Sequence, residues 1–281
     1  MQPRRSTSCI QKTFMIPKMK PSHYIGDYDD NGMKTGFGIL KWPNGIIFKG
    51  YFKKDHINGW GIIIYLNKDT FKGQFSDDKA NGYGNYFYKN GKSKVGYWVN
   101  DNFSGIGYEF NGNEYYVGEF KNGEKNGIGT FILDDNILYE GEWKNNNYWG
   151  VGIKYSEDGN VYHGNWKNNF KSGYGENITP GGLKYIGYYK NDEKDGFGFY
   201  YILKHTYFIG YWKKGKLDGV VKCLIGKDHN YGIWNKGKKE RVIKDEKEFK
   251  KIKDFDIEKY SILFKFNIKM IKDLMEIDDD E

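Results

Sequence analysis

Apolar and polar positions alternate along this chain in short runs that restart on a fixed period. In the stretch from Tyr139, the residues Tyr139, Gly141 and Trp143 fall on one side of an extended chain and Glu140, Glu142 and Lys144 on the other. The polar turn Asn145-Asn146-Asn147 follows, then a second alternating run, Gly150-Val151-Gly152-Ile153-Lys154-Tyr155. Glu157-Asp158-Gly159 then leads into the next unit. Each unit therefore reads as a β-hairpin, and hairpins in series predict one antiparallel sheet. The phrase aromatic-x-Gly-x-aromatic returns every 22 to 24 residues from Tyr24 to Trp234, as in Phe48-Lys-Gly50-Tyr-Phe52, Phe71-Lys-Gly73-Gln-Phe75, Tyr116-Val-Gly118-Glu-Phe120 and Tyr185-Ile-Gly187-Tyr-Tyr189. Ten such units predict a stacked repeat array, a design that usually serves as a binding surface.

A second signature, Gly-x-Gly, follows each anchor glycine by nine or ten residues: Gly36-Phe-Gly38, Gly59-Trp-Gly61, Gly82-Tyr-Gly84, and so on to Gly196-Phe-Gly198, decaying to Gly219-Val-Val221 in the ninth unit. Glycine within a strand marks a bend or a close approach. The gain expected here is space for flanking rings to lie across bare backbone. Stacked in register, the rings would form an aromatic ladder in place of a two-layer core.

The paired signatures resemble the MORN repeat (membrane occupation and recognition nexus) over about 210 of the 281 residues. The resemblance implies an all-β array, an elongated, single-layer, twisted antiparallel sheet of MORN β-hairpins with a groove. Family members include junctophilins, radial-spoke head proteins, plant phosphatidylinositol phosphate kinases and protist cytoskeletal scaffolds. Three positions depart from the pattern: Lys94 and Asn230 stand where the first aromatic belongs, and Val221 replaces a glycine. These changes predict capping at the C-terminal end. The expected organisation is a flexible basic segment over 1–22, the array over 23–237 and a charged, helical C-terminal segment over 238–281.

Composition supports β structure: 19% of residues are aromatic, Gly numbers 38, and Ala80 is the one alanine. Cys9 and Cys223 offer no disulfide framework, which fits a reducing compartment. No stretch has the apolar length of a signal peptide or membrane span, and Gln at position 2 excludes N-myristoylation, so a cytoplasmic location is expected. The net charge of +7 is spread thinly, short of a nucleic-acid footprint but compatible with anionic lipid or acidic partners.

No catalytic constellation emerges. The Gly-x-Gly pairs lack the third glycine and the helix of a dinucleotide site, and His23, His56, His163, His205 and His229 are dispersed. No nucleophile elbow or Cys-His signature occurs. Neither an enzyme nor a cofactor is expected.

Candidate binding residues come from the variable positions. Phe37, Trp60, Tyr83 and Tyr174, the middle residues of Gly-x-Gly, could receive an extended strand or amphipathic helix of a partner protein, with packing in the ladder as the bland alternative. Units eight to ten place Ile186 and Tyr188, Ile209 and Tyr211, and Tyr231 and Ile233 on a face that is charged in a typical repeat. Such a patch calls for a cover. The expected cover is the tail, through Phe264, Ile268 and Ile271, whose neighbourhood suits helix or strand spacing. It would act as a cap, as a homodimer contact, or be displaced by a foreign partner. Lys49, Lys53, Lys54, Lys68 and Lys72 are candidates for anionic phospholipid. The leading expectation is a scaffold that holds a partner protein along its groove at a cytoskeletal or membrane-associated structure. Direct phospholipid binding and a ciliary, radial-spoke-like role are the alternatives.

Overall fold

The computed structural model describes residues 16–203, 206–244 and Glu248. They fall into two compact units, the first running to Phe170 and the second starting at Lys171.

In the first unit the strands are β1 (His23–Tyr28), β2 (Lys34–Lys41), β3 (Ile47–Lys53), β4 (His56–Ile64), β5 (Thr70–Ser76), β6 (Lys79–Phe87) and β7 (Ser93–Val99). They continue as β8 (Asn102–Asn111), β9 (Glu114–Lys121), β10 (Glu124–Leu133), β11 (Asn136–Lys144), β12 (Asn147–Tyr155) and β13 (Val161–Lys167). Each pairs antiparallel with the next, so the chain meanders as hairpins in series predict. The second unit holds β14 (Phe170–Ile178) from its second residue on, followed by β15 (Lys184–Lys190), β16 (Glu193–Leu203), β17 (Thr206–Lys213), β18 (Lys216–Ile225), β19 (Asp228–Asn235) and β20 (Lys238–Ile243). These too pair in sequence order.

The register rests on glycine facing glycine. Gly38 pairs Gly50, Gly50 pairs Gly61, Gly61 pairs Gly73, and the row continues through Gly84 and Gly96. Many pairings shift by two residues just after the anchor glycine: between Gly141 and Trp143, Glu142 alone stands against Trp149, Gly150 and Val151 of β12, a bulge that interrupts the ladder of bonds.

Two-residue turns close the hairpins within repeats. Both central residues take positive φ at Lys54-Asp55, Asp77-Asp78, Asn100-Asp101, Asn145-Asn146 and Asn168-Asn169. That geometry matches the twist of the flanking strands, and Asn and Asp adopt it at least cost. Each of these turns is bonded to the start of the strand that follows the preceding turn. Asp78 Oδ1 accepts the Ile57 amide at 2.8 Å while the Asp78 amide donates to the Ile57 carbonyl at 3.1 Å. Asp101 does the same with Ala80, and Asn169 with Tyr148. Where glycine takes the second position the roles reverse: Ser104 Oγ accepts the Asn122 amide at 3.1 Å, next to Gly123.

Three boundaries differ from expectation. The three-residue polar turn is a two-residue turn, with Asn147 opening β12, because the tight turn already satisfies the twist. The array does not stop at 237: β20 pairs with β19 and completes a further hairpin around Lys236-Gly237. The N-terminal stretch taken as flexible through residue 22 is tied at its end, where the Ser22 amide and hydroxyl both donate to the Lys41 carbonyl. The expected tail helix lies outside the described residues, Glu248 excepted.

Candidate functional site

One face of each unit carries the ladder. The anchor rings Phe48, Phe71, Tyr116, Tyr139 and Tyr185 are fully buried. Each meets its own repeat's second ring and that of the next repeat edge to face. Phe71 stands 5.3 Å from both Phe75 and Trp98, at 90° and 80°, and Tyr116 stands 5.0 Å from Phe120 and 5.1 Å from Trp143. The glycines make room for these rings. A Cβ at Gly84 would lie 2.6 Å from Phe71 Cε2, and one at Gly129 would lie 2.6 Å from Tyr116 Cε2. Polar tips are satisfied locally: Tyr139 Oη donates to the Glu142 carbonyl left over by the bulge, at 2.9 Å. The indole N–H groups of Trp98, Trp143 and Trp166 donate to the carbonyls of Gly84, Gly129 and Gly152.

Departures from the repeat are repaired from neighbouring strands. With Lys94 at an anchor position, Phe103 of β8 swings its ring over Gly96 and Gly107, and Lys94 pairs with Glu109 at 3.1 Å. In the second unit Val221 fills the glycine position opposite Gly210 and is buried with Cys223 and Trp234, Phe208 packing against them.

Lysines enter this face at the start of second strands. Lys125 Nζ lies 5.0 Å from the Tyr116 ring centre, 4.8 Å from Phe131 and 5.4 Å from Trp143. Burial lowers its pKa, against the pull of Glu109. Lys194 Nζ sits 3.8 Å from the Tyr200 ring centre and 4.7 Å from Tyr185 and Trp212, and burial followed by repulsion from Lys171 pushes its pKa down to about 8. Ring faces attract a cation without neutralising it. At the turn edge, Asp78 Oδ2 meets His56 Nδ1 at 2.6 Å and raises the imidazole pKa through that hydrogen bond. A cavity of about 520 Å³ opens in the first unit beside residues 16–21, lined by Leu40, Trp42, Phe52 and Ile57 and by the turn carboxylates of Asp55, Asp78 and Asp101.

The opposite, outward face carries the variable residues. Phe37, Trp60 and Tyr83 lie there, exposed and off the ladder. Phe37 and Tyr83 each meet a cross-strand tyrosine edge to face, Tyr51 at 5.7 Å and Tyr97 at 5.8 Å. Tyr174 is half-buried in the second unit, 5.8 Å from Tyr188. Lys49 and Lys72 stand exposed on the outward face, one on each side of β4 and both opposite Ile62, one outward position along from Trp60, which faces Gln74. Lys53 and Lys54 sit at one end of β4, and Lys68 in the turn at its other end, so the five lysines do not form one patch. In the second unit Ile186 and Tyr231 are buried. Tyr188, Ile209 and Tyr211 are half-buried against Phe197 and Phe199, and Ile233 packs on Val220, Tyr231 and Ile243. Phe264, Ile268 and Ile271 lie outside the described residues.

Sequence reasoning passed over Tyr51, Ile106, Ile128 and Val151, which extend the exposed outward row; Ile106, Ile128 and Val151 hold the slot that singled out Phe37, and Tyr51 holds the variable slot just after an anchor glycine. It also passed over the lysine slots, legible as a cation recurring two residues after the hairpin turn at Lys125, Lys171 and Lys194. Among the described residues no group of three His, Cys, Asp or Glu side chains could hold a metal ion, and no helix is long and apolar enough to cross a membrane.

Among solved structures, the TCP domain of Drosophila melanogaster SAS-4 (dCPAP), in complex with a proline-rich motif of Ana2 (dSTIL), is 12% identical with a TM-score of 0.28, covering 72% of this chain and 99% of that one. A variant of the TCP10 domain of Danio rerio CPAP is 11% identical with a TM-score of 0.27, covering 78% and 91%. TM-scores this low carry no argument about fold or function. No curated protein matches the chain. The MORN repeat model matches residues 24–47, 71–93, 116–136, 139–161, 162–176, 185–202 and 208–220, spacings that follow the hairpins described above. The chain belongs to the MORN-repeat family.

Proposed function

We propose that this protein is a non-catalytic scaffold that holds a partner protein along its strand array, in the cytoplasm, at a cytoskeletal or membrane-associated structure. The observation that carries this reading is the row of exposed apolar side chains on the outward face of the first unit, from Phe37, Tyr51 and Trp60 through Tyr83 and Tyr97 to Ile106 and Ile128. The ladder on the other face does not use them, so folding does not explain them. Exposed apolar side chains in a continuous row are what a partner's extended strand or amphipathic helix covers. The titratable groups fit the same reading, since the displaced lysines and tyrosines owe their shifts first to burial among rings. The test is cross-linking mass spectrometry on the protein isolated from its own cells, beside a variant carrying Phe37→Glu, Trp60→Glu and Tyr83→Glu. Links from β2–β10 to one other protein that vanish in the variant, with ladder amide exchange unchanged, support the scaffold. Links that persist undiminished refute this face as the docking site.

A second reading has its own observation: Lys49 and Lys72 both stand opposite Ile62 on the outward face, one outward position along β4 from Trp60, a grouping of cations and apolar side chains suited to an anionic bilayer surface. Flotation with phosphoinositide vesicles tests it. Binding that is lost on Lys49→Glu and Lys72→Glu favours lipid, and no binding removes this alternative.

A further inference from the structure

Equivalent outward positions of the two units differ in exposure far more than their own neighbours explain. In the first unit Phe37 lies edge-on to Tyr51 across the strand pair, ring centres 5.7 Å apart, and is 54% exposed. In the second, Phe197 lies edge-on to Tyr211 in the same register, at 5.3 Å, and is 5% exposed. The contrast repeats at other slots: Val117 is 46% exposed and Ile186 is 2%; Ile128 is 59% and Val220 is 7%. Cross-strand partners cover the flanks of a side chain and leave its top open. The burial of Ile186, Phe197, Phe199 and Val220 therefore requires a layer above the outward face of β15–β18.

We infer that this layer is the chain's own C-terminal segment, residues 249–281. The last described strand delivers the chain to this face: Ile243, the final residue of β20, is buried with Val220 and Tyr231, facing Tyr231 in register. Glu248 lies back against the end of this strand, where it accepts both the Lys244 amide at 3.1 Å and the Arg241 guanidinium at 2.5 Å. From β20 back to β15 is five strand spacings, roughly 24 Å. A helix over 260–275 spans about 24 Å, and a strand of the same residues spans more. That stretch holds Ile262, Phe264, Phe266, Ile268, Met270 and Ile271, enough apolar surface to meet the row. The segment closes the outward face of the second unit and leaves that of the first free for a partner.

The experiment is hydroxyl-radical footprinting of the full chain, beside a variant with Phe264→Glu, Ile268→Glu and Ile271→Glu. The expected result is a rise in labelling of Phe197 of about tenfold, the ratio of the Phe37 and Phe197 exposures, with Tyr188 and Tyr211 following and the ladder residues Tyr185 and Trp212 still protected. Unchanged labelling of Phe197 overturns the inference. Should the ladder residues also become labelled, a photo-reactive residue placed at Tyr211 in a mixture of light and heavy full-length chains decides. Links to residues 249–281 of the same chain support the inference. Light–heavy links assign the cover to a second copy and refute it, as does the absence of any link to the segment.

Discussion

Gly84→Ala separates packing from propensity at a single atom. Gly84 lies inside β6, its φ is outside the left-handed region, and an alanine there would ordinarily stabilise a strand by about 0.5–1 kcal/mol. In this protein the added Cβ would stand 2.6 Å from Phe71 Cε2. The ring cannot slide away, because Phe75 and Trp98 hold it edge-on at 5.3 Å on either side. Overpacking of this kind costs roughly 1–3 kcal/mol, so the substitution destabilises, by about 1–2 kcal/mol net. Phe71→Ala alone costs about 3–5 kcal/mol. In that background the Gly84 substitution has nothing to strike and turns neutral or stabilising, a coupling of at least about 1 kcal/mol. Repeat arrays need not unfold in one step, so the assay is native-state amide exchange across β5–β7, with the urea midpoint as a second measure. Increased protection in Gly84→Ala, or effects of the two substitutions that simply add, would refute the account of the ladder as rings resting on bare backbone.

Other outcomes follow from the same geometry. Lys194 titrates near 8 in the folded chain against 10.5 ordinarily, so the unfolded chain holds the extra proton between those values and stability should rise with pH across that window. Lys194→Met should flatten this rise and leave the protein more stable at pH 7, measured as the difference between the two melting curves. Asp78→Asn should lower the His56 pKa towards 6.5 in an NMR titration while keeping the amide bond from Ile57. The stabilisation from that pair is present below the ordinary imidazole value and disappears as pH rises through the raised one. Tyr139→Phe loses the bond to the Glu142 carbonyl and should cost about 1 kcal/mol by amide exchange in β11 and β12, without loss of fold, since Phe48 and Phe71 already serve in other repeats.

The period, the hairpins and the ladder face were legible because their causes are local and repeated: alternation assigns Tyr139 and Trp143 to one face, and Gly141 and Gly152 announce a close approach. The repair of Lys94 was not, because it comes from Phe103, a residue whose own spacing looks unremarkable until its ring is seen across Gly107. Nor was the end of the array: the charge of Lys238–Arg241 hides a strand held by backbone bonds to β19. The outward face divides the same way. Phe37 and Phe197 occupy one slot in one phrase, and sequence alone gives no means of telling the exposed ring from the buried one, because local spacing is the same at both. The lysine cages depend on rings three strands wide, as Tyr185, Tyr200 and Trp212 around Lys194 illustrate.

The alternation of ladder and outward residues along every strand also shapes how such a chain can change over generations. A copied unit arrives with its glycines, its two rings and the turn that bonds to the one before, so a duplication folds at once. The residues between Tyr and Gly, and between Gly and Trp, point the other way and differ from unit to unit. Within this one chain the first of those slots already holds Ile25, Lys49, Val95, Glu140 and His163 on an otherwise repeated frame. New contacts can thus be tried one residue at a time, at little risk to the ladder.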